Sequence, residues 1–205
     1  MEQSTEAKLT VYFDEPFWVG AFELKTKAKE KAQRTLVMIQ LRPYEPRDAY
    51  TIISWIGDEV AFRKWCADRY KTYPITADDM NRQYDAADHD RFFPMTAYDE
   101  NGIVGHLILR YTDEEMHTLR FGFIIIDNKR RGQGVGRQML RLAIRYAFEE
   151  MKADKITLGV FENNPSAYRC YRSVGFRESE TDKAEYCRVF DEEWKCLEME
   201  LWRTS

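Results

Sequence analysis

The segment Phe121–Leu140, FGFIIIDNKRRGQGVGRQML, constrains this chain more than any other. Phe121–Ile126 reads as a buried strand that stops at Asp127. A short basic loop, Asn128–Arg131, leads into Gly132-Gln133-Gly134-Val135-Gly136, where a long helix is predicted over Gly134–Met151. In that helix Val135, Met139, Leu142, Ala143 and Tyr146 share one face, while Arg137, Arg141, Arg145 and Glu149 step by four along the other. Glycines at a strand-to-helix turn let the backbone approach a ligand closely. The exposed N–H groups and partial positive charge of the helix N-terminus then suit a phosphate.

The order of the remaining elements gives the class. A short strand is predicted at Ile39–Arg42, then helices at Arg47–Ile56 and Glu59–Tyr70, with apolar residues at helical spacing. Thr76-Ala-Asp-Asp resembles a capping box, and polar Asn81–Asp90 reads as a loop. Strands follow at Phe92–Tyr98, Ile103–Tyr111 and Thr118–Ile126, the first two joined through Asn101-Gly102, a hairpin signal. After the long helix come a strand at Lys155–Phe161, a helix at Asn164–Val174, and strands near Phe176–Ser179 and Lys195–Trp202. This is a mixed α/β sheet flanked by helices.

Which phosphate ligand the glycines serve is decided by spacing. A Walker A loop needs Lys-Ser or Lys-Thr after its last glycine, and neither is present. The dinucleotide pattern GxGxxG fails too, because Arg137 and Met139 stand where its third glycine belongs. What fits is Arg131-x-x-Gly134-x-Gly136, which resembles the R/Q-x-x-G-x-G/A loop of the GNAT N-acetyltransferases. A second segment, VFENNPSAYRCYRSVGF, resembles that family's other signature through Asn164, Ala167, Tyr171, Gly175 and Phe176. Capping chemistry alone explains Asn164, Pro165 and Gly175. It does not explain Tyr171, which by residue type would be a half-buried core residue. LRPYEPRDAYTIISWIGDE is similar, more loosely, to the branch that includes spermidine and ribosomal-protein acetyltransferases.

The resemblance covers Met38 to Trp202 and implies a GNAT fold, with acetyl-CoA as cosubstrate and direct attack by a primary amine in a ternary complex. It implies that the strand edge at Ile124, Ile125 and Ile126 holds the pantetheine arm. Backbone N–H groups from Arg131, Gly132, Gln133, Gly134, Val135, Gly136 and Arg137 would bind pyrophosphate, with Arg131 or Arg137 adding charge. Asn164 would hydrogen-bond the coenzyme, and Tyr171 would protonate the leaving thiolate. The acceptor is either a small-molecule amine or a protein N-terminus, and a non-catalytic acyl-CoA sensor is the competing class. Trp55, Trp65, Tyr70 and Tyr73 fall on the acceptor side, where core packing is their default role.

No general base is visible. Glu162, Asp113, Glu114 and Glu115 qualify by position only, and solvated surface carboxylates are the plainer reading. His106 and His117 lie on or beside predicted strands, and Cys170 on a predicted buried helix face reads as a small core residue.

Composition bounds the rest. Over 205 residues, 31 Lys+Arg against 35 Asp+Glu leave a net charge of −4, which argues against a dedicated nucleic-acid binder. No window approaches the ~18 apolar residues of a membrane span. The N-terminus does not read as a signal peptide. The four cysteines form no CxxC and the three histidines are scattered, so a metal-free, reduced, cytoplasmic protein is expected. Residues 1–37 are expected to be an extension before a domain spanning 38–205. Its segment KLTVYFDEPFWVGAFE resembles the opening strands of a small bacterial domain of the YjdF type, linked to RNA binding. A non-functional tail added by an upstream start codon is the alternative, and the lysine-rich KTKAKEKAQR suits an exposed helix or linker. Strands near Trp194–Trp202 are able to pair across a homodimer.

Overall fold

The structure, a computed structural model, describes residues 5–14, 17–26, 37–180 and 185–204, with side chains from Ile39 onward. The elements run β1 (Thr5–Asp14), β2 (Phe17–Thr26), β3 (Val37–Pro43), α1 (Asp48–Ser54), α2 (Glu59–Cys66), α3 (Ala77–Asp85), β4 (Phe92–Asp99), β5 (Gly102–Tyr111) and β6 (Thr118–Ile126). A 3-10 turn at Asn128–Arg130 leads to α4 (Val135–Glu149), β7 (Lys155–Phe161), α5 (Pro165–Ser173), β8 (Arg177–Glu178), β9 (Glu185–Val189) and β10 (Glu192–Trp202). One sheet holds all the described strands, in the order β1-β2-β3-β4-β5-β6-β7-β10-β8, with β9 paired to β10. The expected mixed α/β architecture is therefore observed.

Two layers of helix cover the sheet. Leu107, Leu109, Leu119 and Phe121 of the sheet pack with Met139, Leu140 and Leu142 of α4 and with Phe176 in one core cluster. Ile108, Phe123 and Ile125 pack with Ile52 of α1, Phe62 of α2 and Met80 of α3 in the other. Side chains alternate between faces along a strand, so Leu119, Phe121, Phe123 and Ile125 should share one face. They do not, because the parity flips between Phe121 and Phe123. Phe123 has φ +48, and the β5–β6 register jumps from His106↔Ile125 to Ile108↔Gly122. This is a β-bulge that leaves Phe123 and Ile124 outside the ladder.

A second irregularity opens the sheet. β6 and β7 are the parallel pair, and their ladder runs only from Thr118–Arg120 against Lys155–Thr157. β7 continues in full register with β10. The two strands therefore part beyond Arg120 and Thr157, where β6 and β7 residues share a cavity with Asn164, Ala167 and Tyr171.

Three local expectations change. α3 continues through Asp85, so the loop expected from Asn81 starts later. Met80 and Tyr84, one turn apart, are both buried and extend the helix, whose capping box at Thr76 is formed as expected. β9 was not predicted: it is short and mostly exposed, and only its pairing with β10 defines it. β1 and β2 form an antiparallel hairpin whose second strand pairs with β3, so the backbone of the extension continues the main sheet. Most of the lysine-rich run, residues 27–34, lies outside the described residues.

Candidate active site

Gly132 and Gly134 adopt φ +76 and +83, values that a side chain disfavours, and they carry the chain from β6 into α4. Gly134 is the N-cap of α4 and supplies no side-chain cap. The N–H groups of the first turn, from Val135 onward, thus lack an intrahelical acceptor. The loop before it is stiffened locally: the Asp127 carboxylate accepts the Lys129 N–H at 3.0 Å, and Gln133 Nε2 donates to the Lys129 carbonyl at 2.8 Å. Arg130 is ion-paired with Asp99. Arg131, Arg137 and Arg169 have no carboxylate partner among the described residues. An uncapped helix N-terminus beside unpaired guanidinium groups is suited to a multiply charged phosphate.

A cavity of about 630 Å³ begins at this loop and runs along β6 to α5. Ile124, Ile125, Ile126, Arg131, Gly132, Gly134, Gly136, Arg137, Asn164 and Tyr171 all line it. Gln133 and Val135 do not: the Gln133 side chain folds back onto Lys129, and Val135 is buried in the core. Only their backbone N–H groups remain available to a ligand.

A second cavity, of about 480 Å³, lies on the other side of the bulge. The two share Lys64, Trp65, Ile124, Asn164, Ala167 and Tyr171. Asn164 caps α5, its side chain accepting the Ala167 N–H at 3.4 Å, so the capping role read from sequence is present. Tyr171 is 7% exposed and packs edge-on to Phe176. Burial pushes its phenol well up, so the hydroxyl stays protonated. Cys170 is half-buried and also lines the first cavity, rather than sitting wholly in the core. Burial raises its thiol as well, so it presents a neutral wall.

Sequence reasoning missed the group that braces the bulge. Trp65 Nε1 donates to the Phe123 carbonyl at 2.8 Å, and the indole stacks on Tyr70 with ring centroids 6.0 Å apart. Trp65 thus has a specific polar task besides packing. No local pattern signals it, since its partner is 58 residues away.

The suggested bases are elsewhere. Asp113 accepts the N–H groups of His117 and Thr118, which hold its carboxyl below the ordinary range, and it closes a turn. Glu162, Glu114 and Glu115 are exposed and line neither cavity. His117 pairs with Asp154 at 2.9 Å. His106 is fully buried, with Nε2 on the Tyr84 hydroxyl at 2.8 Å, and burial lowers it to about 3. The carboxylates that do line the second cavity are Asp68 and Glu185. Among the described residues no group of three or more His, Cys, Asp or Glu could hold a metal. No described helix is long and apolar enough to cross a membrane.

Known proteins resemble this chain in sequence and in fold. The spermine/spermidine N(1)-acetyltransferase of Bacillus subtilis (strain 168) is 31% identical over 98 residues, 45% of this chain and 64% of that protein. An L-amino acid N-acetyltransferase of Escherichia coli (strain K12) is 28% identical over 99 residues, 47% of this chain and 60% of that one. The chain thus spans less than two thirds of the curated relatives it matches. In fold it is similar to the spermidine N-acetyltransferase of Vibrio cholerae solved with CoA and spermine. That likeness has a TM-score of 0.68 at 23% identity, over 80% of this chain and 95% of the other. The model of the acetyltransferase (GNAT) family matches residues 59–176, which include most of the residues lining both cavities and both glycine-bearing motifs, and the chain belongs to that family.

Proposed function

We propose that the chain transfers an acetyl group from acetyl-CoA to a primary amine, with both substrates bound together. The observation that carries this is the position of Tyr171, a buried protonated phenol where the two cavities meet. The coenzyme occupies the first cavity and the amine the second. The glycine loop and the unpaired Arg131 and Arg137 fit its pyrophosphate, and the edge of β6 at Ile124–Ile126 fits the pantetheine arm. Bound acetyl-CoA supplies the activated acyl thioester; the chain supplies position, polarity and a proton.

Three needs follow for an amine attacking a thioester. The carbonyl oxygen requires a donor as charge develops, and this reading gives the role to a backbone N–H of β6 at the bulge, where Phe123 and Ile124 have no partner in the β5–β6 register. The departing sulfur requires a proton, which the Tyr171 hydroxyl donates. The amine must lose one, and Asp68 and Glu185 are the carboxylates on the acceptor side. The catalytic domain in this reading spans residues 38–205, with 1–37 as an extension.

The experiment is thiol release from acetyl-CoA with a panel of amines and short peptides, using Tyr171→Phe as control. Tyr171-dependent release with a small amine supports the proposal, and release only with peptides would turn it toward a protein N-terminus. Tight acetyl-CoA binding without turnover on any acceptor would make the chain a coenzyme sensor.

A further inference from the structure

The acceptor cavity carries an arrangement that folding alone does not favour. In the β5–β6 register Arg110 lies directly opposite Arg120, and both side chains line the second cavity. Like charges directly opposite each other destabilise a sheet. Arg120 is compensated, by an ion pair with Glu198 and a 3.4 Å contact to Thr157 Oγ1. Arg110 is half-buried and has no hydrogen-bonded acceptor or carboxylate partner among the described residues. Its pKa is lowered by burial first and then by the charges of Arg120 and Arg69, which the Glu198 carboxylate only partly offsets. Arg69 reaches the same cavity from the segment after α2, its nearest carboxylate being Asp68 at 4.0 Å.

From this cluster we infer that the acceptor is an amine whose far end carries a carboxylate, held by Arg110 with Arg69 and Arg120 beside it. The inference rests on the acetyl-transfer reading above and names its substrate class. A guanidinium fork matches a carboxylate in shape and in charge, and a second anion would add to Glu198 in offsetting the Arg110–Arg120 repulsion. A polyamine meets the opposite situation. The cations Lys64, Arg69, Arg110 and Arg120 outnumber the two lining carboxylates, Asp68 and Glu185. The curated spermine/spermidine relative therefore does not set the substrate.

Geometry adds a length. Arg120 and Ile124 are four residues apart on β6, about 13 Å at ~3.3 Å per residue and somewhat less across the bulge. Phe92, Ile108 and Phe123 line the cavity too, an apolar wall suited to methylenes. The carboxylate is thus several bonds from the amine, not on its α-carbon.

The test compares ω-amino acids with diamines of matched length: 4-aminobutyrate and 6-aminohexanoate against 1,4-diaminobutane and 1,6-diaminohexane, with spermidine and glycine alongside. The amino acids are expected to show kcat/KM at least about tenfold above the matched diamines, with 6-aminohexanoate above glycine. Arg110→Gln should erase the preference through KM, leaving kcat within about threefold, and Arg110→Lys should restore part of it. Because the Arg–Arg repulsion is removed, Arg110→Gln should also melt no lower than the parent, which separates a lost ligand contact from a lost fold. Diamines or spermidine acetylated as well as the amino acids would overturn the inference, as would an amino-acid preference that survives Arg110→Gln. If no amine turns over, calorimetric titration of CoA-saturated protein with 6-aminohexanoate still decides. Binding that Arg110→Gln weakens about tenfold supports the carboxylate site while the acetyl-transfer reading falls; no Arg110-dependent binding removes the site.

Discussion

The two cavities that meet at Tyr171 are built in different ways. The first is made mainly by one continuous stretch of backbone, β6 through the glycine loop into α4, closed by α5 and by residues between Trp55 and Trp65. Its chemistry comes from N–H groups and from guanidinium groups left without partners. The second is made of residues from α2, the segment after it, α3, β4, β5, β6, β7, α5, β9 and β10. Its character lies in which charges the sheet register sets side by side. A backbone site tolerates wide variation of side chains so long as the glycines stay. A side-chain site is respecified by single substitutions, so one fold can hold its donor while the acceptor changes.

Tyr171 belongs to both cavities, and the largest expected effect is there. Tyr171→Phe keeps the ring and its packing on Phe176, so folding and both KM values should change little while kcat falls by about 10²–10⁴. Burial pushes this phenol up from its ordinary value near 10, so the donor form persists as pH rises. Wild-type kcat should accordingly show no decline up to about pH 10, where an unperturbed phenol would be half ionised. A Tyr171→Phe enzyme with full turnover would break the link between the two cavities.

Gly134→Val separates them. No side-chain or backbone atom comes closer than 4.0 Å to a Cβ built at Gly134, so the cost is conformational: a β-branched residue forced to φ +83. Strain of about 1–3 kcal/mol is expected there, and if the loop relieves it by rearranging, CoA affinity should fall about tenfold or more by calorimetry. The amine KM at saturating acetyl-CoA should be unchanged. Equal losses at both sites would mean that the cavities are not independent constructions.

This division also explains what could be seen in the sequence. The glycine loop, the α4 stripe, the capping of α3 and α5 and the individual strands from β3 onward except β9 are local, and each showed in spacing or residue type. The bulge did not, because FGFIII is apolar or glycine on both faces and a parity flip leaves no trace in such a run. Trp65 looked like packing because its hydrogen bond to Phe123 joins distant elements. Arg110 and Arg120 carry no local signal, since only the β5–β6 register makes them opposite neighbours. Asp113, half-buried in a turn, qualified by position as a candidate base, whereas its carboxylate is committed to two backbone N–H groups.

Trp65→Phe tests the brace between the cavities and should have a moderate effect. It keeps an aromatic ring against Tyr70 and Phe123 but removes the donor to the Phe123 carbonyl. The loss of one such bond is worth about 1 kcal/mol, which corresponds to roughly fivefold in kcat if it is felt at the bulge. Turnover with a variety of acceptors should drop by the same factor, because the bulge positions the acyl carbonyl and not the amine. A loss that varied with the acceptor would instead assign Trp65 to substrate selection.

The smallest effect is expected at Cys170, where it discriminates between chemistries. Its thiol lines the first cavity one residue before Tyr171, a position from which an acyl-enzyme route is conceivable. Against that route, burial raises the thiol, so little thiolate exists at neutral pH. No histidine lines the cavity to serve as its base. Cys170→Ala should therefore change kcat by less than about twofold, far below the 10²–10⁴ expected of a missing proton donor. Abolished turnover, together with an acetyl adduct on Cys170 by mass spectrometry, would replace direct attack by a two-step transfer. Tyr171 would then pass the Cys170 thiol proton to the departing coenzyme thiolate in the first step. The Cys170 thiolate expelled in the second would take up the proton lost by the amine, and an amine-independent release of thiol, one per enzyme, would precede steady turnover.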